Sequence, residues 1–407
     1  MQLQNRSRGV PSSTTETVER LLADIGKLAP DIRARAAEIE AGRRVPPDLV
    51  AALKSIGIFR IFAPRSHGGF ELDLSAGLEV FGALARIDGS VGWTAMIGNG
   101  IATAAPQLPR ETYEKIYRNG PDVIFAGSGQ PAGTAEAVAG GLRVNGRWSF
   151  ASGCQHADWI FVFCVMTKDG KPLPGSAGAG GPPMIRAILL PARDVVIEDT
   201  WHAAGLKGSG SHHIAINNML VPEANSLDVE QSMACVPGPL YQSLLHFIPL
   251  MHGNFAVAIA EGTLDELVAL ANTGRQQLRA AVPMRESEAF QLELGRAAAD
   301  IRAARAYLQM QTAIHWQHAL AGTLKGEDLM IEGRQAGIWI TTACLRAVDA
   351  CFTLSGASAV YDDSPLQQRL RDLHVAAQHA AVQSRFYAGA GKVLLDAAAV
   401  KDAPAKP

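Results

Sequence analysis

The stretch "GRWSFASGCQHADW", Gly146 to Trp159, gathers two tryptophans, a phenylalanine, a serine, a cysteine and a histidine into a segment that otherwise reads like a strand. Two further stretches share its character: "FAGSGQPAGTAEAV", Phe125 to Val138, and "WHAAGLKGSGSHHI", Trp201 to Ile214. In each, glycines uncover backbone N–H groups beside small hydroxyls and aromatic faces. Such a surface can hold a flat, polar-edged, anionic ligand. Amides would meet ring heteroatoms, and a Gly/Ser turn would meet phosphate.

A second candidate group is "RDLHVAAQH", Arg371 to His379. His374 and His379 are five residues apart, which on a helix is about 140° of rotation. At most one of them points straight into a shared pocket. The His379 face carries Asp372, Val375, Ala376 and Val382, mostly small and apolar; the His374 face, with Leu370, Arg371 and Gln378, is more polar. Imidazole is suited to exchange a proton with a phenol-like or indole-like group. Trp93 and Asn99, in "SVGWTAMIGNG", are candidate substrate-pocket residues. Taken alone, a helical histidine is more often a packing residue, and a serine at a strand end a local hydrogen-bonding one.

These side chains need elements to position them. Residues 1–121 read as helical, after a polar tail to about residue 12; Pro46 and Pro47 open one helix and Gly57 closes it. Residues 122–230 alternate short β-type runs with Gly, Asn-Gly and Pro-Gly punctuation. Asn145-Gly146 is a hairpin signal. "WIFVFCVM", uninterrupted and apolar, predicts a strand buried on both faces. Residues 231–407 return to long, Ala-rich amphipathic helices, the last of them "SPLQQRLRDLHVAAQHAAVQSRFYAGAGKVLLD", and predict an antiparallel bundle ending in a frayed "KDAPAKP".

Composition excludes several classes. Lys plus Arg number 37 and Asp plus Glu 39, so no basic stripe argues for nucleic acid or an anionic membrane surface. No uncharged apolar run approaches the roughly 20 residues of a membrane span, and the N-terminus lacks a secretory h-region. Five widely spaced cysteines without C-x-x-C predict reduced, buried thiols in a cytoplasmic protein, with no metal site. No G-x-G-x-x-G, Walker loop, H-E-x-x-H or G-x-S-x-G is present. Reactivity must then come from a bound cofactor.

At this point the sequence resembles the acyl-CoA dehydrogenase superfamily, and within it the flavin-dependent monooxygenase branch, over nearly the whole chain. The most specific piece is W-x-F-A-S-G-x-x-x-A-D-W: Trp148, Phe150, Ala151, Ser152, Gly153, Ala157, Asp158 and Trp159. "GLKGSGS", Gly205 to Ser211, and "RDLHVAAQH" follow. The resemblance implies an α+β fold with a helical N-terminal domain, a middle β-barrel domain and a C-terminal four-helix bundle, assembled as a homotetramer. It implies that Ser152 lies by flavin N5, and that Phe125, Gly127, Ser128, Phe150 and Gly153 line the ring. The 205–211 loop, with Lys207, Ser209 and Ser211, would approach the flavin phosphate or a neighbouring subunit. Leu354 to Val360 would approach the cofactor tail from a partner.

The implied activity is oxygenation of a small aromatic by O2 through a flavin C4a-hydroperoxide. Reduced FAD (or FMN) would arrive from a separate NAD(P)H:flavin reductase. Motif matching makes His379 the histidine that deprotonates or orients the substrate. The Y-E-G-type turn that carries a dehydrogenase's carboxylate base is absent. Acyl-CoA oxidation and N-oxygenation of an amino sugar remain the alternatives on this scaffold.

Overall fold

The computed structural model describes residues 14–401 apart from 179, 230 and 244. The polar tail and nearly all of "KDAPAKP" lie outside the described residues. Among the described residues six helices come first: α1 (Thr14–Ala34), α2 (Ala36–Gly42), α3 (Pro47–Ile56), α4 (Leu74–Ile87), α5 (Gly89–Ala102) and α6 (Arg110–Ile116). α3 begins on Pro47 and stops at Gly57, whose φ of 94° is left-handed, as its end residues predict. Asp73 and Asp88 cap α4 and α5 by accepting the N–H groups of Ala76 and Val91. α5, which carries Trp93, is buried on nearly every side between α4 and the sheet.

Among the described residues the sheet has eight strands: β1 (Phe125–Val138), β2 (Gly141–Trp148), β3 (Trp159–Lys168), β4 (Lys171–Pro172), β5 (Ile185–Pro191), β6 (Val196–Glu198), β7 (His213–Val221) and β8 (Ser226–Asp228). Their order is β6-β7-β2-β1-β3-β5-β8, with β4 beside β3. The expected barrel is therefore corrected to an open sheet. Its end strands β6 and β8 have three residues each and do not pair with one another; closure needs a continuous ladder between them.

β3 is buried on both faces, as its unbroken apolar run predicts. Phe161 and Phe163 join Tyr113 of α6 and Tyr117 just after it, while Ile160, Val162 and Cys164 join Trp148 on the other side. The Asn145-Gly146 hairpin is a second correction. The β1–β2 connection falls at residues 139–140, and Asn145-Gly146 lies inside β2. Gly146 is needed there for packing: a Cβ would fall 2.5 Å from the Cα of Gly133 and 2.8 Å from the Trp148 indole.

The C-terminal helices are α7 (Ile248–Asn272), α8 (Glu288–Leu320), α9 (Glu327–Ser355), α10 (Pro365–Ala376) and α11 (Tyr387–Lys401). α9 is central, packing on α7, α8, α10 and α11. With its extension to Val360 it is long and apolar enough to cross a membrane by composition, and half of that window is buried inside the protein. The fourth long helix expected from the sequence is broken: α10 stops at Ala376, two 3-10 turns follow (Ala380–Val382 and Ser384–Phe386), and α11 begins after them.

Candidate active site

A cavity of about 580 Å³ lies between the sheet, α5 and the bundle. Three local departures from regular structure build its wall. In β1 the register against β3 breaks between Ser128 and Gly133, which turns the backbone around Gly129 and Gln130 toward the cavity. Gly127 is paired with Phe161 just before this break, and a Cβ there would sit 1.9 Å from the Phe161 carbonyl oxygen. The loop after β2 is the second departure. Phe150 adopts a left-handed φ of 65°, rare for an aromatic, and its ring forms the cavity rim at 55% exposure.

The 149–158 loop is laced to the "GLKGSGS" loop by backbone bonds: Ala151 N–H donates to His212 O at 3.0 Å and Gly153 N–H to Ser209 O at 2.8 Å. His212 in turn accepts the N–H groups of Thr200 and Trp201 at its Nδ1, both at 3.2 Å. This lacing holds a row of polar side chains. Trp93 Nε1–H donates to Ser152 Oγ at 3.0 Å, Ser152 and Ser211 hydroxyls are 2.7 Å apart, and Ser211 and Ser209 hydroxyls are 2.7 Å apart. Ser152 and Ser211 face the cavity; Ser209 continues the chain behind them.

The third departure is the break after α10. His379 follows the helix with extended dihedrals, φ −62° and ψ 139°. The helical-face argument therefore does not apply to it. It nonetheless lines the cavity, while His374 pairs with Asp349 at 2.8 Å on the surface. His379 Nδ1 accepts the Ala381 N–H at 3.2 Å. The neutral ring then carries its proton on Nε2. Its ring stacks on that of His252, centroids 4.0 Å apart and 26° between planes, and both flank Trp93. Burial pushes the His379 imidazole down to about 4, and burial, with His379 beside it, holds His252 well below the ordinary imidazole range. Both rings are neutral at neutral pH.

Of the residues expected from the sequence, Trp93, Gly127, Ser128, Phe150, Ser152, Ser211 and His379 come together on the cavity wall. The others do not. Phe125 packs in the core against Tyr117. Asn99 is fully spent on the backbone, donating to Ile58 O and Ala95 O and accepting from Phe62 N–H. Gly153 supplies a left-handed turn, φ 74°, behind Ser152. Lys207 pairs with Glu40 at 3.5 Å.

Two ionisable residues of the described cavity wall escaped the sequence reading, His252 and Arg334. His252 is the only ionisable residue from Phe247 to Ala260, a signal that was available. Arg334, amid ordinary helical surface spacing on α9, carried none. Among the described residues the wall contains no Asp or Glu.

Residues 15–109 match the acyl-CoA dehydrogenase N-terminal domain and residues 250–384 the acyl-CoA dehydrogenase C-terminal domain. The chain is 31% identical to the indole-3-acetate monooxygenase of Pseudomonas putida, over 88% of this chain and 89% of that protein. It is 29% identical to the FADH(2)-dependent resorcinol hydroxylase, oxygenase component, of a Rhizobium species, over 91% of this chain and 92% of that one. The crystal structure of the 3-HSA hydroxylase from a Rhodococcus species superposes with a TM-score of 0.83 at 28% identity, covering 92% of this chain and 96% of that chain. With this match in sequence, fold and order of elements, the chain belongs to the acyl-CoA dehydrogenase superfamily and, within it, to the flavin-dependent monooxygenases.

Proposed function

We propose that this protein is the oxygenase component of a two-component system. It oxygenates a small aromatic, phenol-like or indole-like, with O2 and reduced FAD (or FMN) delivered by a separate NAD(P)H:flavin reductase. One observation carries the reading: a hydroxyl row anchored on Trp93 shares an acid-free cavity with two stacked neutral imidazoles. The relatives point the same way, being named for indole-3-acetate and for FADH(2)-dependent attack on resorcinol.

The cavity suits a flat ring with polar edges. Ser152, Ser211 and the backbone of Gly127 and Ser128 offer donors and acceptors, and Phe150 and Trp201 offer aromatic faces. When bound there, reduced flavin supplies the activation of O2. The chain supplies the rest. Ser152, held as an acceptor by Trp93, can turn its own proton toward Ser211 or into the cavity. Met96, Ile97, Phe161 and Phe163 keep water out. His379 has its Nδ1 lone pair occupied and presents Nε2–H. It orients an acceptor on the substrate and is not positioned to remove a proton at Nε2.

Acyl-CoA oxidation needs a carboxylate base, and none of the described wall residues provides one. A homotetramer is supported by apolar side chains left uncovered on α8, α9 and α11, including Leu292, Trp339 and Leu394. Five free cysteines suit a cytoplasmic setting. The test is to mix the protein with chemically reduced FAD or FMN, oxygen and a panel of phenols and indoles. Oxygenated product is expected. Anaerobic bleaching of bound flavin by an acyl-CoA, without any reductase, would overturn the reading.

A further inference from the structure

Arg334 is the only charged residue among those described on the cavity wall. Partly buried guanidiniums elsewhere have carboxylate partners, as Arg43 has Asp199, Arg60 Asp122, Arg305 Glu261 and Arg371 Glu40. Arg334 makes neither an ion pair nor a hydrogen bond among the described residues; its guanidinium lies 4.6 Å over the Phe386 ring. Desolvation without a counter-charge disfavours its charged form.

The surroundings add to this. Arg334 is one turn before Gly337, where α9 meets the start of α7; a Cβ on Gly337 would fall 2.6 Å from the Pro249 carbonyl oxygen. α7 is a 25-residue helix whose N-terminus has no side-chain cap, and its first residues Ile248 and Pro249 line the cavity. His252, in the second turn, is 4% exposed, and its Nδ1 has no hydrogen-bond partner. The unpaired cation and the uncapped helix start lie on one wall and favour an anion, and the neutral His252 ring on the same wall has no hydrogen-bond partner at its buried Nδ1 and can present an N–H to it at Nε2.

We propose that the α7–α9 end of the cavity is a carboxylate subsite, so that the preferred substrate is a small aromatic acid. The inference rests on the monooxygenase reading for its chemistry and goes beyond it in naming the substrate class and two residues. Arg334 pairs with the carboxylate, His252 adds a hydrogen bond, and the aromatic ring lies along Met96, Ile97 and Phe161 toward Ser152. Binding is non-covalent: the carboxylate exchanges water for guanidinium and imidazole N–H donors.

The experiment is calorimetric titration of the full chain, saturated with FAD or FMN, with indole-3-acetate and with its neutral amide. The acid is expected to bind about 10- to 100-fold tighter than the amide, the range of one charge-assisted interaction. Arg334→Gln should remove most of that preference, chiefly by weakening the acid. His252→Asn should reduce it several-fold. Equal affinity of acid and amide for the unaltered protein overturns the subsite, as does a preference that survives Arg334→Gln. Loss of flavin binding in Arg334→Gln, with the acid preference intact, also overturns it, since Arg334 would then serve the flavin. Product assays on the same pair separate the two readings. Oxygenation of both compounds at equal efficiency retains the monooxygenase and removes the subsite. Tight acid binding without product from either compound does the reverse.

Discussion

Ser152 accepts the indole N–H of Trp93 and shares a proton with Ser211, so its hydroxyl has few orientations left to it. Ser152→Ala deletes the one cavity-facing member of the row that Trp93 fixes. The expected result is an increase in hydrogen peroxide released per reduced flavin and a loss of product of about tenfold, the equivalent of one hydrogen bond. Peroxide and product quantified in the same reaction check it; unchanged coupling would remove Ser152 from the chemistry. His379→Ala should lower product while flavin affinity, measured by fluorescence titration, stays close to that of the unaltered protein. Retained turnover would remove His379. The residues of the cavity wall differ in how visible they were. Ser152 stands within a dense motif and could be named from it. His252 stood out only as a lone ionisable group among apolar neighbours, outside any motif, and Arg334 looked like any helix-surface arginine until the burial of its surroundings was known.

At the scale of elements, α10 is tied to the site loop through a buried acid. Asp372 accepts the Leu206 N–H at 2.5 Å, and Leu206 is on the cavity wall. Burial, with the neighbouring Asp88 carboxylate next in importance, raises the Asp372 pKa from 3.8 to about 7. A raised folded-state pKa contributes stability that is fully present below pH 3.8 and is lost as pH rises through about 7. Asp372→Asn should therefore melt a few degrees higher than the unaltered protein at pH 8, with the gap shrinking toward pH 5. Thermal unfolding across that range measures it, and a gap that does not vary with pH would contradict the assignment.

Legibility varied with the elements too. Pro47 and Gly57 announced α3 because their backbone preferences are local. The stop after Ala376 could not be read, because "AAQHAAVQ" consists largely of good helix formers. Packing of that segment over the cavity overrode its propensity. Asn145-Gly146 misled because the glycine answers to Trp148 across the sheet, a contact that no local pattern encodes.

Over the whole molecule, helices fill residues 14–116, strands 125–228 and helices 248–401, and the cavity forms where the three groups meet. The broad order was legible from hydrophobic period alone. The openness of the sheet was not, since strand content does not reveal which edges pair. The outer bundle face leaves Leu394 71% and Leu395 73% exposed, more than an isolated soluble chain usually tolerates side by side. Light scattering on the purified protein should give four times the mass of the chain, and the double change Leu394→Glu, Leu395→Glu should shift it toward smaller species. A monomer from the unaltered protein would defeat the tetramer.

The break between α10 and α11 has a consequence for how such a chain can evolve. In an unbroken helix, one inserted residue turns everything beyond it by about 100°. Here His379 and Gln383 ride on short turns between two helices, so a gain or loss of residues can be absorbed before α11 begins. The floor of the cavity can change length without disturbing the bundle, which leaves substrate range free to drift on a fixed scaffold.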